Sequence, residues 1–300
     1  MGIPAAAESG GGVTVLGVPL DGGGGDGRLA PDAASTAIRA ASAQLLPVRI
    51  DSDRNPLLEL DLRDGGDVDL SHADPADHLP LTTEAVSAVL ARGSTPLGLG
   101  GDGSVALAML RALAEEIGEV AVIHLDAHTD CNPPGDGINA GSSAFWVAAA
   151  EGLVTTSASV HVGLRGPGLN ANSVRICNDV GYRTIGMDAI VDRGIAVAID
   201  QVRETVGDRP VYLCWDLDVF DPSVAPGVFS PSWGGIAAAA GLRFLRGLAG
   251  LRLVAADVNN LNPAADIAGL TASLAAQLAF ESLFSLPRSG SLGSSHERAS

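Results

Sequence analysis

The chain has 300 residues, 46% of them hydrophobic and 18% charged, which excludes a disordered or fibrous protein and leaves ample length for a buried core. Its 18 cations, all arginine, face 35 acidic residues, for a net charge of −17. That balance argues against nucleic-acid or anionic-membrane partners, which need a basic face, and admits cationic ligands such as metal ions, amines and guanidines.

From its N-terminus the sequence reads first as a small, glycine-rich tail over residues 1–12, with none of the basic and apolar regions of a signal peptide. Residues 13–287 read as a single domain, and residues 288–300 as a second polar tail. Strands are predicted over Val13–Val18, Thr95–Gly98, Val120–Leu125, Ser159–Gly163, Arg183–Ile185, Val211–Trp215 and Leu251–Ala256. Helices are predicted between them, over Ala33–Leu45, Glu84–Arg92, Ser104–Ile117, Ser142–Glu151, Gly194–Val206, Ile236–Leu248 and Ile267–Phe284. Strands apolar on both faces, alternating with helices, imply a mostly parallel sheet in a three-layer α/β/α arrangement. The acidic stretch Asp51–Asp77 reads as a solvated surface insertion. No apolar run reaches the ~18 residues of a membrane span. Cys131, Cys177 and Cys214 are odd in number and widely spaced, which predicts reduced thiols in a cytoplasmic protein.

The chemistry-bearing residues fall at strand ends, where open α/β sheets bind ligands. After Val120–Leu125 come Asp126, His128 and Asp130 at alternate positions; after Val211–Trp215 come Asp216 and Asp218, with Asp221 and Pro222 beyond. If the two strands are neighbours, these carboxylates and an imidazole share one cleft, where like charges repel unless a cation joins them. Hard oxygen donors with one imidazole suit Mn²⁺ better than Zn²⁺ or Cu²⁺. A rival reading is a dinucleotide site, since Gly98, Gly100 and Gly103 form a Gly-x-Gly-x-x-Gly with Asp126 about 20 residues on. The glycine quartet Gly22–Gly25 lacks the rest of a phosphate loop and reads as a turn, and Asp136 reads as a turn residue that could line the entrance of a cleft. His161 reads as a hydrogen-bonded core residue, and His124, two before Asp126, as either a packed residue or one that orients a metal ligand.

The motifs Gly100-Gly-Asp-Gly-Ser104, Asp126-Ala-His128-Thr-Asp130 and Asp216-Leu-Asp218-Val-Phe-Asp221-Pro222 resemble the metal-site signatures of the ureohydrolases, the arginase and agmatinase family. Further likeness lies in Ala225-Pro-Gly227, in Asp257 through Pro263, and in Thr271-Ala272, so the resemblance spans nearly the whole chain. It implies an arginase-type fold, a trimeric or hexameric assembly, and Mn²⁺ ions that activate water for attack on a guanidinium carbon. By the same resemblance Asp126 and Asp216 bridge the ions, His128 and Asp218 complete one, and Asp130 binds the other. Asp126, His128 and Asp216 are then the candidate catalytic residues. Asn132 and Asp188 are candidate substrate contacts.

Three departures stand out. Gly103, Ala140 and Asn260 occupy positions where the family has a metal-binding histidine, a histidine associated with proton transfer, and a glutamate that faces the guanidinium. The resemblance therefore implies one firmly held Mn²⁺ and a second, weaker site that a histidine restored at residue 103 would tighten. It points either to a hydrolase of an altered linear amidine or guanidino compound, or to a metal-binding descendant that has lost turnover.

Overall fold

The computed structural model describes residues 12–20, 31–135 and 137–286. The strands are β1 (Val13–Gly17), β2 (Leu62–Asp67), β3 (Thr95–Leu99), β4 (Ala121–Leu125), β5 (Val160–Leu164), β6 (Arg183–Gly186), β7 (Pro210–Asp216) and β8 (Arg252–Asn259). They form one eight-stranded sheet in the order β2-β1-β3-β8-β7-β4-β5-β6, and every pairing between them is parallel. The helices are α1 (Pro31–Ser42), α2 (Pro56–Glu59), α3 (His78–Ala91), α4 (Ser104–Glu116), α5 (Ala144–Ala150), α6 (Ser173–Val180), α7 (Met187–Arg193), α8 (Ile195–Val206), α9 (Ala238–Gly247) and α10 (Leu270–Ser282).

Parallel strands joined by helices are covered on both faces, and the side chains of β4 show how the layers are filled. Ala121, Ile123 and Leu125 enter one core with residues of α1, α7, α8, α9 and α10. Val122, on the other side of the strand, enters a second core with α3, α4, α5 and Cys177 of α6. This is the three-layer α/β/α arrangement that the sequence predicts.

Connectivity decides where a ligand can go. From β4 the chain moves outward through β5 to the edge strand β6, then returns to lay β7 and β8 between β4 and β3. The carboxyl ends of β3, β8, β7 and β4 therefore meet at the middle of the sheet, where its winding direction changes, and open α/β sheets hold their ligands at such a point.

The stretch Asp51–Asp77 differs from its prediction, for it contains α2 and the edge strand β2. An edge strand needs a partner on one side only, so Leu-Arg-Asp-Gly-Gly-Asp carries almost no apolar alternation. Its charges are paired as well: Arg39 of α1 donates to both carboxylate oxygens of Asp64, at 2.9 Å each, and to Asp67. The short helices α6 and α7 span barely two turns, too few for a period to declare itself in the sequence. Residues 1–11 and 287–300, which make up most of the expected tails, lie outside the described residues, as do the quartet Gly22–Gly25 and Asp136.

Candidate metal centre

β4 and β7 are adjacent and in register, with Leu125 opposite Trp215, so Asp126 just beyond β4 and Asp216 at the end of β7 emerge side by side. Both turns that follow are held by their own carboxylates. Asp126 Oδ1 accepts from the His128 amide at 2.6 Å, and Asp216 Oδ1 accepts from the Asp218 amide at 2.8 Å. Asp218 Oδ1 then reaches across to accept from the Ala127 amide at 2.9 Å, which locks the two loops together. His128 Nδ1 lies 3.2 Å from Asp126 Oδ1 and 3.0 Å from Asp218 Oδ2. Asp126, His128, Asp130, Asp216 and Asp218 all line one cavity of about 1350 Å³.

The electrostatics follow from that crowding. Asp126, Asp216 and Asp218 are buried, and Asp130 is half-buried. Burial, and then repulsion from Asp126, raises the Asp218 carboxyl to about 6, and burial with the neighbouring Asp218 raises Asp216 well above the usual carboxylate range. Asp130 is raised by burial and by Asp126. Burial opposes a charge on His128, but its contacts with Asp126 and Asp218 overrule this and push the imidazole up to about 12. With no cation present, His128 is therefore the counter-ion of the cluster.

A site so rich in carboxylate oxygen, with imidazole nitrogen beside it, fits a hard divalent cation such as Mn²⁺. Two sets of donors have the required spacing, each with its atoms within 4.8 Å of one another: Asp126, His128 and Asp218 form one, and His124, Asp126 and Asp130 the other. Asp216 joins the first through Asn260, whose amide donates to Asp216 Oδ1 at 2.6 Å and to Asp218 Oδ2 at 3.2 Å. Asn260 has a positive φ of 67°, a backbone region that asparagine tolerates better than most residues. Its side chain faces the acids and shields them from one another.

Asn132 lines the cavity but its carboxamide is already engaged. It donates to the Ser142 carbonyl at 2.9 Å and accepts from Asn170 at 2.9 Å, so it braces the wall. Asp188 requires a correction. It is exposed in the first turn of α7, after the edge strand β6, and is not among the residues lining the cavity, because the edge of the sheet lies away from the central cleft. Gly103 faces the cluster: a Cβ there would lie 2.5 Å from Asp130 Oδ2, so the Asp130 carboxylate fills the space a side chain would need. The glycines of the rival dinucleotide motif serve their own turn. Gly100 has φ +90°, and a Cβ on it would lie 3.1 Å from the Ser35 amide nitrogen.

Arg165 lies in the stretch Gly163-Leu-Arg-Gly166, which is more like agmatinase-type members of the family, but the sequence assigns it no role. Its guanidinium donates to the carbonyls of Gly163, Asp218, Phe220, Ser232 and Trp233, tying the end of β5 to the loops beyond β7. Bonds to backbone carbonyls leave no trace in residue type, and only the position of Arg165 just after a strand hinted at a role.

The profile of the Arginase family matches residues 12–285. The chain belongs to the arginase family. Among relatives of known name, it is 34% identical to the mitochondrial agmatinase of Gallus gallus over 277 residues, covering 91% of this chain and 80% of that protein. It is likewise 34% identical to the proclavaminate amidinohydrolase of Streptomyces clavuligerus over 281 residues, covering 92% and 88%. The solved structure of that amidinohydrolase superposes with a TM-score of 0.86, covering 95% of both chains at 33% identity. The arginase of Bacillus caldovelox, at 24% identity, shares the fold with a TM-score of 0.79, covering 91% of this chain and 98% of that one. For this arginase-family chain, membership agrees with the resemblance read from its motifs and leaves the dinucleotide reading without support.

Proposed function

We propose that this arginase-family chain is a Mn²⁺-dependent hydrolase of a C–N bond in a linear amidine or guanidino compound. The observation that carries the reading is the meeting of Asp126, His128, Asp216 and Asp218, from adjacent strand ends, at one wall of an open cavity. The names of the relatives, an agmatinase and an amidinohydrolase, support the substrate class.

In this reading Asp126, His128, Asp216 and Asp218 hold the principal Mn²⁺. The ion, when bound, supplies the activation of water that such a hydrolysis needs near neutral pH. His128 must release its proton to become a ligand, so cation binding and proton release are coupled at this residue. The surrounding carboxylates favour a cationic guanidinium or amidinium over a neutral group. Asn260 holds Asp216 and Asp218 at a fixed separation, while Arg165 keeps the loops that carry Asp218 and Ser232 closed against β5. With Ala140 in place of a histidine, proton transfer to the leaving amine falls to water in the cavity or to Asp130. We take the protein to be cytoplasmic, with a small-molecule substrate.

The test is turnover of Mn²⁺-loaded protein on a panel of guanidino amines, guanidino carboxylic acids and less basic amidines, with urea or amine release as the readout. Release from at least one class, lost on chelation, is the expected result. Full metal loading with no release from any class would leave the metal-binding descendant as the function.

A further inference from the structure

We propose that His124 is itself a metal ligand, completing with Asp126 and Asp130 a second cation site for which residue 103 supplies no side chain. The inference rests on the metal-hydrolase reading above and adds a ligand to it.

His124 and Asp126 lie two residues apart on the same side of the extended chain, so the imidazole sits directly beneath the carboxylate. Its Nε2 is 3.1 Å from Asp126 Oδ2, and the side chain is 2% exposed. Donor atoms bound at about 2.0–2.1 Å and at right angles to one another stand about 3 Å apart, which matches that separation. Asp130 supplies the third donor atom, within 4.8 Å of the other two. Its carboxylate accepts no hydrogen bond from any described residue, and its Oδ2 enters the space left by Gly103. Glycine at residue 103 is thus what lets Asp130 approach.

The far side of the imidazole is prepared for the same role. His124 Nδ1 is 2.9 Å from His161 Nδ1, its partner across β4 and β5. When His124 donates its Nδ1 proton to His161, its Nε2 lone pair faces Asp126 and Asp130. Metal-bound histidines characteristically donate their other ring N–H to an acceptor, most often a carboxylate, a backbone carbonyl or water; here the acceptor is the His161 ring. His161 is fixed in turn by the rings of Tyr182 and Phe145, both in edge contact, with centroids 4.7 and 4.9 Å away. Its own Nε2 has no partner, so His161 serves no other polar group among the described residues. Without a cation the opposite tautomer pair lets His124 Nε2–H donate to Asp126, so the buried histidines are hydrogen-bonded to each other in both states.

The experiment strips the full chain with chelator, titrates it with MnCl₂ and counts bound ions by the electron paramagnetic resonance of free Mn²⁺. Pulsed measurements on protein carrying ¹⁵N-histidine then report directly bound imidazole. Wild type should bind two ions, with two histidine nitrogens coupled per chain. His124→Gln should bind one, and His161→Phe should weaken the second ion by about 10–100-fold. If the His124 variant fails to fold, His128→Gln serves instead: a histidine nitrogen still coupled to bound Mn²⁺ supports the inference, and none coupled overturns it. Two ions held by His124→Gln with unchanged affinity would also overturn it, as would a wild type that binds one ion only and a His124→Gln variant that keeps that ion with unchanged affinity, and both leave the hydrolase reading intact. Wild type that binds no Mn²⁺ would overturn both.

Discussion

The two faces of the central strands are built on opposite principles. On one, Ile123, Leu213 and Ala256 lie among apolar neighbours and form an ordinary core. On the other, at nearly the same depth, His161, His124, Cys214, Asp257 and Gly98 pair strand by strand across β5, β4, β7, β8 and β3. Within it Asp257 accepts from Tyr212 and from Asn259, the latter at 2.7 Å, and Gly98 leaves room, since a Cβ there would lie 3.0 Å from that of Asp257. One step further along the same strands lie Asp126 and Asp216. The comparison teaches that the candidate metal centre is the outermost tier of a polar column set above the second core, while the opposite face is apolar at the same depth.

Substitutions on the two faces should therefore separate metal binding from folding. The largest effect is expected at the top of the column: Asp216→Asn should abolish Mn²⁺ retention, and metal analysis showing unchanged content would dissolve the assigned site. Next, Gly103→His should displace Asp130 and weaken the second ion. This reverses the gain expected from sequence alone, and a Mn²⁺ titration decides between the two. On the apolar face, Ile123→Ala should cost about 2–5 kcal/mol in denaturant unfolding while leaving the number of bound ions unchanged. A loss of metal there would erase the distinction between the faces.

The smallest effect concerns pH. Burial pushes the Asp257 carboxyl up to about 7, against the hydrogen bonds from Tyr212, Asn259 and Cys214. A folded-state value above the unfolded one means that Asp257 contributes its full share of stability below about pH 4, a share lost as pH rises through about 7. Asp257→Asn removes that dependence. The melting-temperature advantage of wild type over the variant should shrink between pH 4 and 7.5, and a constant gap would place the titration elsewhere.

Much of this could be read from residue order. Apolar runs marked all strands but β2, and the spacing of Asp126, His128, Asp216 and Asp218 marked the centre, because alternation ties sequence position to side-chain direction. What sequence hid was lateral. That β7 lies beside β4 is a fact of winding order, and the pairing of His124 with His161 and the turning of Asn260 towards the acids follow from it. Asp188 misled because likeness along the chain carries no information about distance from the cleft.

The late insertion of β7 and β8 has a consequence for biosynthesis. Ala127 and Asp218, hydrogen-bonded in the finished protein, are 91 residues apart, so a ribosome exposes the first acidic loop long before its partner exists. Contacts of such long range are intrinsically slow to form. The complete site for the cation therefore cannot exist until the residues through Asp218 have been synthesised.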